Sequence, residues 1–176
     1  IYTRRPVRTV EDLRGLKIRV QTSDLWIDLM RAMGANPTPL PFGEVFTSLQ
    51  SGVIDGAENN WPSYESTRHF EVARYYTTTE HSNVPEVLAV SRTRWQRLSE
   101  ADRTILRNAA RESAAWQREL WAERERLSRE RVVAAGAQVI EITDREPWAR
   151  LMEPVYARYA ADPRLAALVR QIRETR

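Results

Sequence analysis

A chain of 176 residues with 42% hydrophobic and 29% charged side chains is long enough to bury an ordinary core and too apolar for disorder. Its formal charge of +3 comes from arginines interleaved with Asp and Glu, Lys17 being the single lysine, and with no basic block standing alone the composition argues against a nucleic-acid binder. Without cysteine there is no disulfide, thiolate metal site or cysteine nucleophile, and no apolar run is long enough for a membrane-spanning helix.

The start, Ile1-Tyr2-Thr3-Arg4-Arg5-Pro6, has neither an initiator methionine nor the apolar core of a signal peptide, so the chain is expected to begin inside a longer protein. Thr9 to Leu13 predicts a helical turn capped by Thr9. In the strand that follows, Lys17 to Val20, period-2 alternation puts Ile18 and Val20 on one face and Lys17 and Arg19 on the other. Gln21-Thr22-Ser23 ends this strand and caps a helix over 24–33 that buries Leu25, Leu29 and Met33 and stops at Gly34. Pro37 to Leu40 is extended, a second helix over 44–50 stops at Gly52, and Val53 to Glu58 reads as a buried strand with a polar end. Pro62 opens a helix to about Tyr75, and Pro85 to Ser91 reads as another strand. The order β-α-β-α-β predicts an α/β protein with a parallel sheet.

Ser99 then caps a helix whose apolar positions, Ile105, Ala109, Trp116, Leu120 and Leu127, persist without Gly or Pro until Gly136. Unbroken, it would span roughly 50 Å at about 1.5 Å per residue, against a diameter of roughly 40 Å for a compact globule of this size. Such a helix should cross onto a second domain. Its later half alternates charge, with pairs such as Glu125–Arg129 and Arg126–Glu130 on a solvated face. A short strand over 139–142 and two helices, about 146–160 and 163–173, close the chain.

No phosphate loop, dinucleotide fingerprint or His-rich metal spacing is present, and no cofactor is expected. Asp55 and Glu58 could form a carboxylate pair for acid–base chemistry, an enzyme reading that competes with capping or ion pairing. A helical adaptor built on the 99–135 helix is a further alternative. The fuller constellation lies at successive strand ends: Arg19 with Thr22, then Phe42, then Glu58-Asn59-Asn60-Trp61. Together these offer a cation that can grip a carboxylate with two hydrogen bonds, amide donors and acceptors, and aromatic walls, at the sheet edge where α/β proteins bind ligands. Each also has a structural reading, since Arg19 could pair with Asp55 or Glu58, Phe42 and Trp61 could be core, and Asn59 could shape a turn.

The runs Asp12-Leu13-Arg14-Gly15-Leu16-Lys17-Ile18-Arg19-Val20, Met33-Gly34-Ala35-Asn36-Pro37-Thr38-Pro39-Leu40-Pro41-Phe42-Gly43-Glu44-Val45-Phe46 and Leu49-Gln50-Ser51-Gly52-Val53-Ile54-Asp55-Gly56-Ala57-Glu58-Asn59 strongly resemble the solute-binding proteins of TRAP (tripartite ATP-independent periplasmic) transporters. The likeness continues through His69-Phe70-Glu71-Val72-Ala73, Thr79-Glu80-His81 and Trp95-Gln96-Arg97-Leu98-Ser99. It implies a two-lobed, periplasmic-binding-protein-like (type II-like) receptor, not an enzyme, that closes on an organic acid and hands it to membrane permease subunits from the periplasm. In the family a secretion signal and most of a first lobe, with a second ligand-contacting arginine, precede the region matching Ile1.

By the same resemblance residues 1–84 and about 125–176 form the second lobe, 85–124 give a strand and helix to the first, and the long helix bridges the two. Arg19 matches the arginine that salt-bridges the ligand carboxylate, Asn59 the asparagine that hydrogen-bonds the ligand, and Phe42 the aromatic that packs on it. Thr22 and Glu86 match pocket-lining positions, while Gln21 stands where many relatives have proline. The stretch 58–64 followed by 80–87 resembles the hexuronate branch, so the expected ligand is a sugar acid such as glucuronate or galacturonate, with Asn60 and Glu86 serving its hydroxyls; C4-dicarboxylates are the rival within the family. A chain lacking most of the first lobe should expose Val87, Leu88 and the apolar stripe of the long helix's first half, and leave Arg19 more exposed than in a complete receptor.

Overall fold

Six short strands form one mixed sheet: β1 (Tyr2–Thr3), β2 (Lys17–Val20), β3 (Asn36–Pro39), β4 (Gly56–Ala57), β5 (Tyr75–Thr77) and β6 (Gln138–Ile140), in the spatial order β3-β2-β4-β1-β5-β6. The computed structural model describes residues 1–83 and 85–175; Val84, within the run that resembles the hexuronate branch, and Arg176, the last residue of the expected second lobe, lie outside them. β2 runs parallel to β3 and β4, and β5 parallel to β6, while β1 runs antiparallel to both β4 and β5. Five strands therefore point the same way, and their carboxyl ends share one edge. The parallel βαβ reading holds, with β1 inserted as the lone reversed strand.

Helices cover both faces: α1 (Asp24–Ala32), α2 (Val45–Ser51), α3 (Trp61–Ser66), α4 (Arg92–Gln96), α5 (Glu100–Ala134), α6 (Glu146–Arg150), α7 (Glu153–Tyr159) and α8 (Pro163–Glu174). The core is correspondingly double. Ile18 and Val20 point into a cluster with Leu29, Met30, Met33 and Trp148, whereas Tyr2, Val45, Leu49, Ala57, Tyr64, Tyr76 and Val132 fill the opposite side. Alternation along the strands produces this division, and it turns Arg19 away from the α1 side.

Gly52 caps α2 at φ +77°, a left-handed turn that its N–H closes onto the Leu49 carbonyl. Gly56 is needed for a different reason: a Cβ there would stand 2.5 Å from the Tyr2 carbonyl oxygen and 2.6 Å from Thr3 Cγ2, so β1 can approach β4 only across a residue with no side chain.

Several expected elements differ. The helix from Pro62 to Tyr75 stops at Ser66, because Arg68 takes a left-handed φ of 58° and Tyr75 enters β5. The strand over 53–58 contracts to Gly56–Ala57. The helix over 146–160 breaks into α6 and α7, where Pro154 has no N–H to continue the ladder. Residues 85–90 form no strand, since a strand needs a neighbour to complete its ladder and none lies beside this segment among the described residues.

The long helix is unbroken over 35 residues, with Ser99 Oγ accepting from the Asp102 N–H at 3.1 Å. Only its later half docks. Ser128 and Val132 are its buried residues, and Glu65 of α3 bridges Arg124 at 2.9 Å and Arg131 at 3.1 Å. The stretch up to Trp121 stands clear of the sheet, with Ile105, Leu106, Leu120, Trp121 and Trp116 (64% exposed) facing solvent. Val87 and Leu88 are 81% and 79% exposed, so the apolar patch expected from the sequence is present.

Candidate functional site

The shared carboxyl edge gathers three of the expected residues. Arg19 is the penultimate residue of β2, between β3 and β4 and paired in register with Thr38 and Ala57. Its Nε donates to the Leu40 carbonyl at 2.9 Å, and its Cζ lies 5.7 Å from the centroid of the Phe42 ring. Phe42 opens a 3₁₀ turn (Phe42–Glu44) just beyond β3, with 43% of its surface exposed. Asn59 follows the end of β4 by two residues, at the same edge.

Arg19 is only 4% exposed, although the sequence led to the expectation of an arginine more exposed than in a complete receptor. The Leu40 carbonyl and the Phe42 ring lie against it, and the charge of Glu58, itself buried, is felt at this edge. Its Nη1 and Nη2, the fork that grips a carboxylate, have no hydrogen-bond or ion-pair partner among the described residues. Neither of the ion pairs that the sequence allows for Arg19 forms: Asp55 accepts from the Lys17 N–H at 2.8 Å on the far side of β4, and Glu58 Oε1 has no hydrogen-bond partner. Asp55 and Glu58 thus sit at opposite ends of β4 and share no hydrogen bond among the described residues. Burial raises the Glu58 carboxyl above its ordinary range, with the positive charge of Arg19 working against this.

Beneath the edge lies a buried aromatic and histidine layer that sequence reasoning missed. Tyr2 Oη and His69 Nδ1 are 2.7 Å apart, and Phe42 meets the His69 ring edge-on at 5.9 Å. Burial, assisted by Arg19, lowers His69 to a pKa of about 4, so it is neutral at pH 7. β1 is too short for its alternation to be read, and nothing local links Tyr2 to a histidine 67 positions away.

The other expected residues hold different positions. Asn60 Oδ1 accepts from the Ser63 N–H at 2.9 Å, so this oxygen serves as the N-cap of α3. Trp61 stacks on Tyr76 with ring centroids 3.6 Å apart. Thr22 is exposed on the turn after β2, and Glu86 is exposed on the strandless segment, without a contact to the Arg19 cluster among the described residues.

Two hollows lie elsewhere. One of about 320 Å³ is walled by Leu25, Leu29, Tyr156, Leu165 and Leu168. The second, of about 500 Å³, contains Arg145, Arg150 and Arg173, but these cations are paired with Glu80, Glu146 and Glu153 at 2.8, 2.9 and 3.6 Å. The Arg19 fork beside an aromatic face keeps its hydrogen-bonding capacity for an acid, whereas the cations of the second hollow are neutralised. No cluster of three or more His, Asp or Glu side chains able to hold a metal occurs among the described residues.

Residues 1–162 match the family described as bacterial extracellular solute-binding protein, family 7. The chain belongs to that family. A solute-binding protein of Chromohalobacter salexigens is 44% identical over 173 residues, covering 98% of this chain and 52% of its own length. Among solved structures, a TRAP periplasmic solute-binding protein from Bradyrhizobium sp. BTAi1, in complex with α/β-D-galacturonate, superposes with a TM-score of 0.90 at 51% identity and covers 99% of this chain and 58% of its own. Another, from Roseobacter denitrificans with bound β-D-glucuronate, gives a TM-score of 0.93 at 44% identity over the same shares. The chain thus spans little more than half the length of these family members, and its α/β fold is the corresponding part of theirs.

Proposed function

We propose that this chain is the arginine-bearing lobe of a TRAP transporter receptor that binds a hexuronate, such as glucuronate or galacturonate, in the periplasm and delivers it to the membrane permease. The observation that carries the reading is the enclosed but unpaired guanidinium fork of Arg19, held by the Leu40 carbonyl. Burial strengthens its attraction for a carboxylate, and the Leu40 contact fixes its direction before a ligand arrives. Phe42 supplies an apolar face for a sugar ring, and Asn59 an amide for a hydroxyl or carboxylate oxygen. Neighbours that are 44% and 51% identical hold uronates, which supports the sugar-acid class. Residues 85–124, with their exposed apolar side chains, are assigned to the opposing lobe.

The test is isothermal titration of the full-length receptor with glucuronate, galacturonate, malate and succinate. Tight binding of a uronate with weak response to the diacids is expected, and preference for a diacid would refute the ligand class. Arg19→Lys should weaken uronate binding about 100-fold, because a charge-assisted two-point contact becomes a single one (about 2–3 kcal/mol); unchanged affinity would remove Arg19 from the site.

A further inference from the structure

The side-chain amide of Asn59 is fixed in orientation by the backbone. The Asn60 N–H can only donate, so the Asn59 atom 2.9 Å from it is Oδ1. That leaves Nδ2 as the group available to a ligand, with no acceptor among the described residues. The Asn59 carbonyl is held independently, by Tyr76 Oη donating at 2.7 Å. Burial raises the Tyr76 hydroxyl well above its ordinary value, with Glu125 of α5 adding to the effect, so this group remains a donor throughout the physiological range. The Tyr76 ring is in turn fixed by its stack on Trp61, at 3.6 Å and 18° between planes, and the Arg129 guanidinium of α5 lies 5.5 Å from the Trp61 ring.

From this continuous set of contacts we infer that Tyr76 is a positioning residue for the ligand: through the Asn59 carbonyl it aims the Asn59 amide at the Arg19 edge, and through Trp61 and Arg129 it ties that amide to the long helix. Tyr76 does not itself touch the ligand. The inference rests on the receptor reading above, with Asn59 as a ligand donor.

The test is a double-mutant cycle of Tyr76→Phe and Asn59→Ala in the full-length receptor, read as Kd for D-glucuronate and D-galacturonate. Phenylalanine keeps the stack on Trp61 and removes only the hydroxyl. Tyr76→Phe is expected to raise Kd about tenfold, as for loss of one buried hydrogen bond, yet to change it less than about twofold in the Asn59→Ala background. Alanine at position 59 retains the backbone carbonyl, so a merely structural role for the hydroxyl would give the same loss in both backgrounds. An equal loss in both, or no loss with Tyr76→Phe alone, would overturn the inference while leaving a uronate-binding wild type intact. A wild type that binds no uronate would instead overturn the receptor reading, and this inference with it.

Discussion

Arg19 and His69 divide one small region between a charge kept and a charge refused. Burial, with the field of Arg19 adding to it, lowers the histidine to a pKa of about 4. For His69 this has a definite consequence for stability. Because its folded value lies below the ordinary 6.5, the unfolded chain binds more protons than the native one between about pH 6.5 and 4. The histidine's contribution is full above pH 6.5 and is lost as pH falls through that window. Thermal melts of the wild type between about pH 7 and 4.5 should show this loss, and His69→Gln should show a flatter profile; parallel profiles would mean that His69 does not titrate as placed. Glu58 acts in the opposite sense, since its raised value makes it destabilising as pH rises past the carboxylate range.

At the scale of elements, the sheet depends on a close approach that one residue permits. β4 is two residues long, yet it bridges β2 and the reversed β1, and it does so at Gly56, where a methyl group would meet the Tyr2 carbonyl at 2.5 Å. The Tyr2 carbonyl is backbone and cannot yield as a flexible side chain could. Gly56→Ala is therefore expected to cost about 3 kcal/mol in chemical denaturation, and a loss under about 1 kcal/mol would show that β1 can shift away. The long helix shows a second element-scale division: Glu65 with Arg124 and Arg131 anchors its later half, while the earlier half finds no support from the sheet.

For the molecule as a whole, the stretch of the long helix up to Trp121 leaves several large apolar side chains exposed. Trp116 and Leu120 stand in water on this helix, an arrangement a soluble monomer seldom maintains over a broad patch. If residues 85–124 belong to the opposing lobe, Trp116→Ala should cost about 3 kcal/mol in the full-length receptor, as for a buried tryptophan. In the 176-residue chain the same substitution should change stability by less than about 0.5 kcal/mol. Equal small effects in the two proteins would contradict the lobe assignment.

Much of this architecture is legible in the order of the amino acids. Helix limits near Ser23, Gly34, Gly52, Ser99 and Gly136 follow from local chemistry, because caps and left-handed turns depend on a few adjacent residues. The alternation of Ile18, Arg19 and Val20, the parallel βαβ order and the overlong helix are likewise local or periodic properties. The sequence by itself therefore determined the class, most elements, the edge at which Arg19 lies and, through its runs of family-like residues, the family. Tertiary structure alone decided the burial of Arg19, the Tyr2–His69 pair, the capping duty of Asn60, the Tyr76–Asn59 contact and the failure of 85–91 to become a strand. Each of these depends on which groups meet across long separations or on whether a partner strand exists, and neither is encoded in the period or propensity of any single segment.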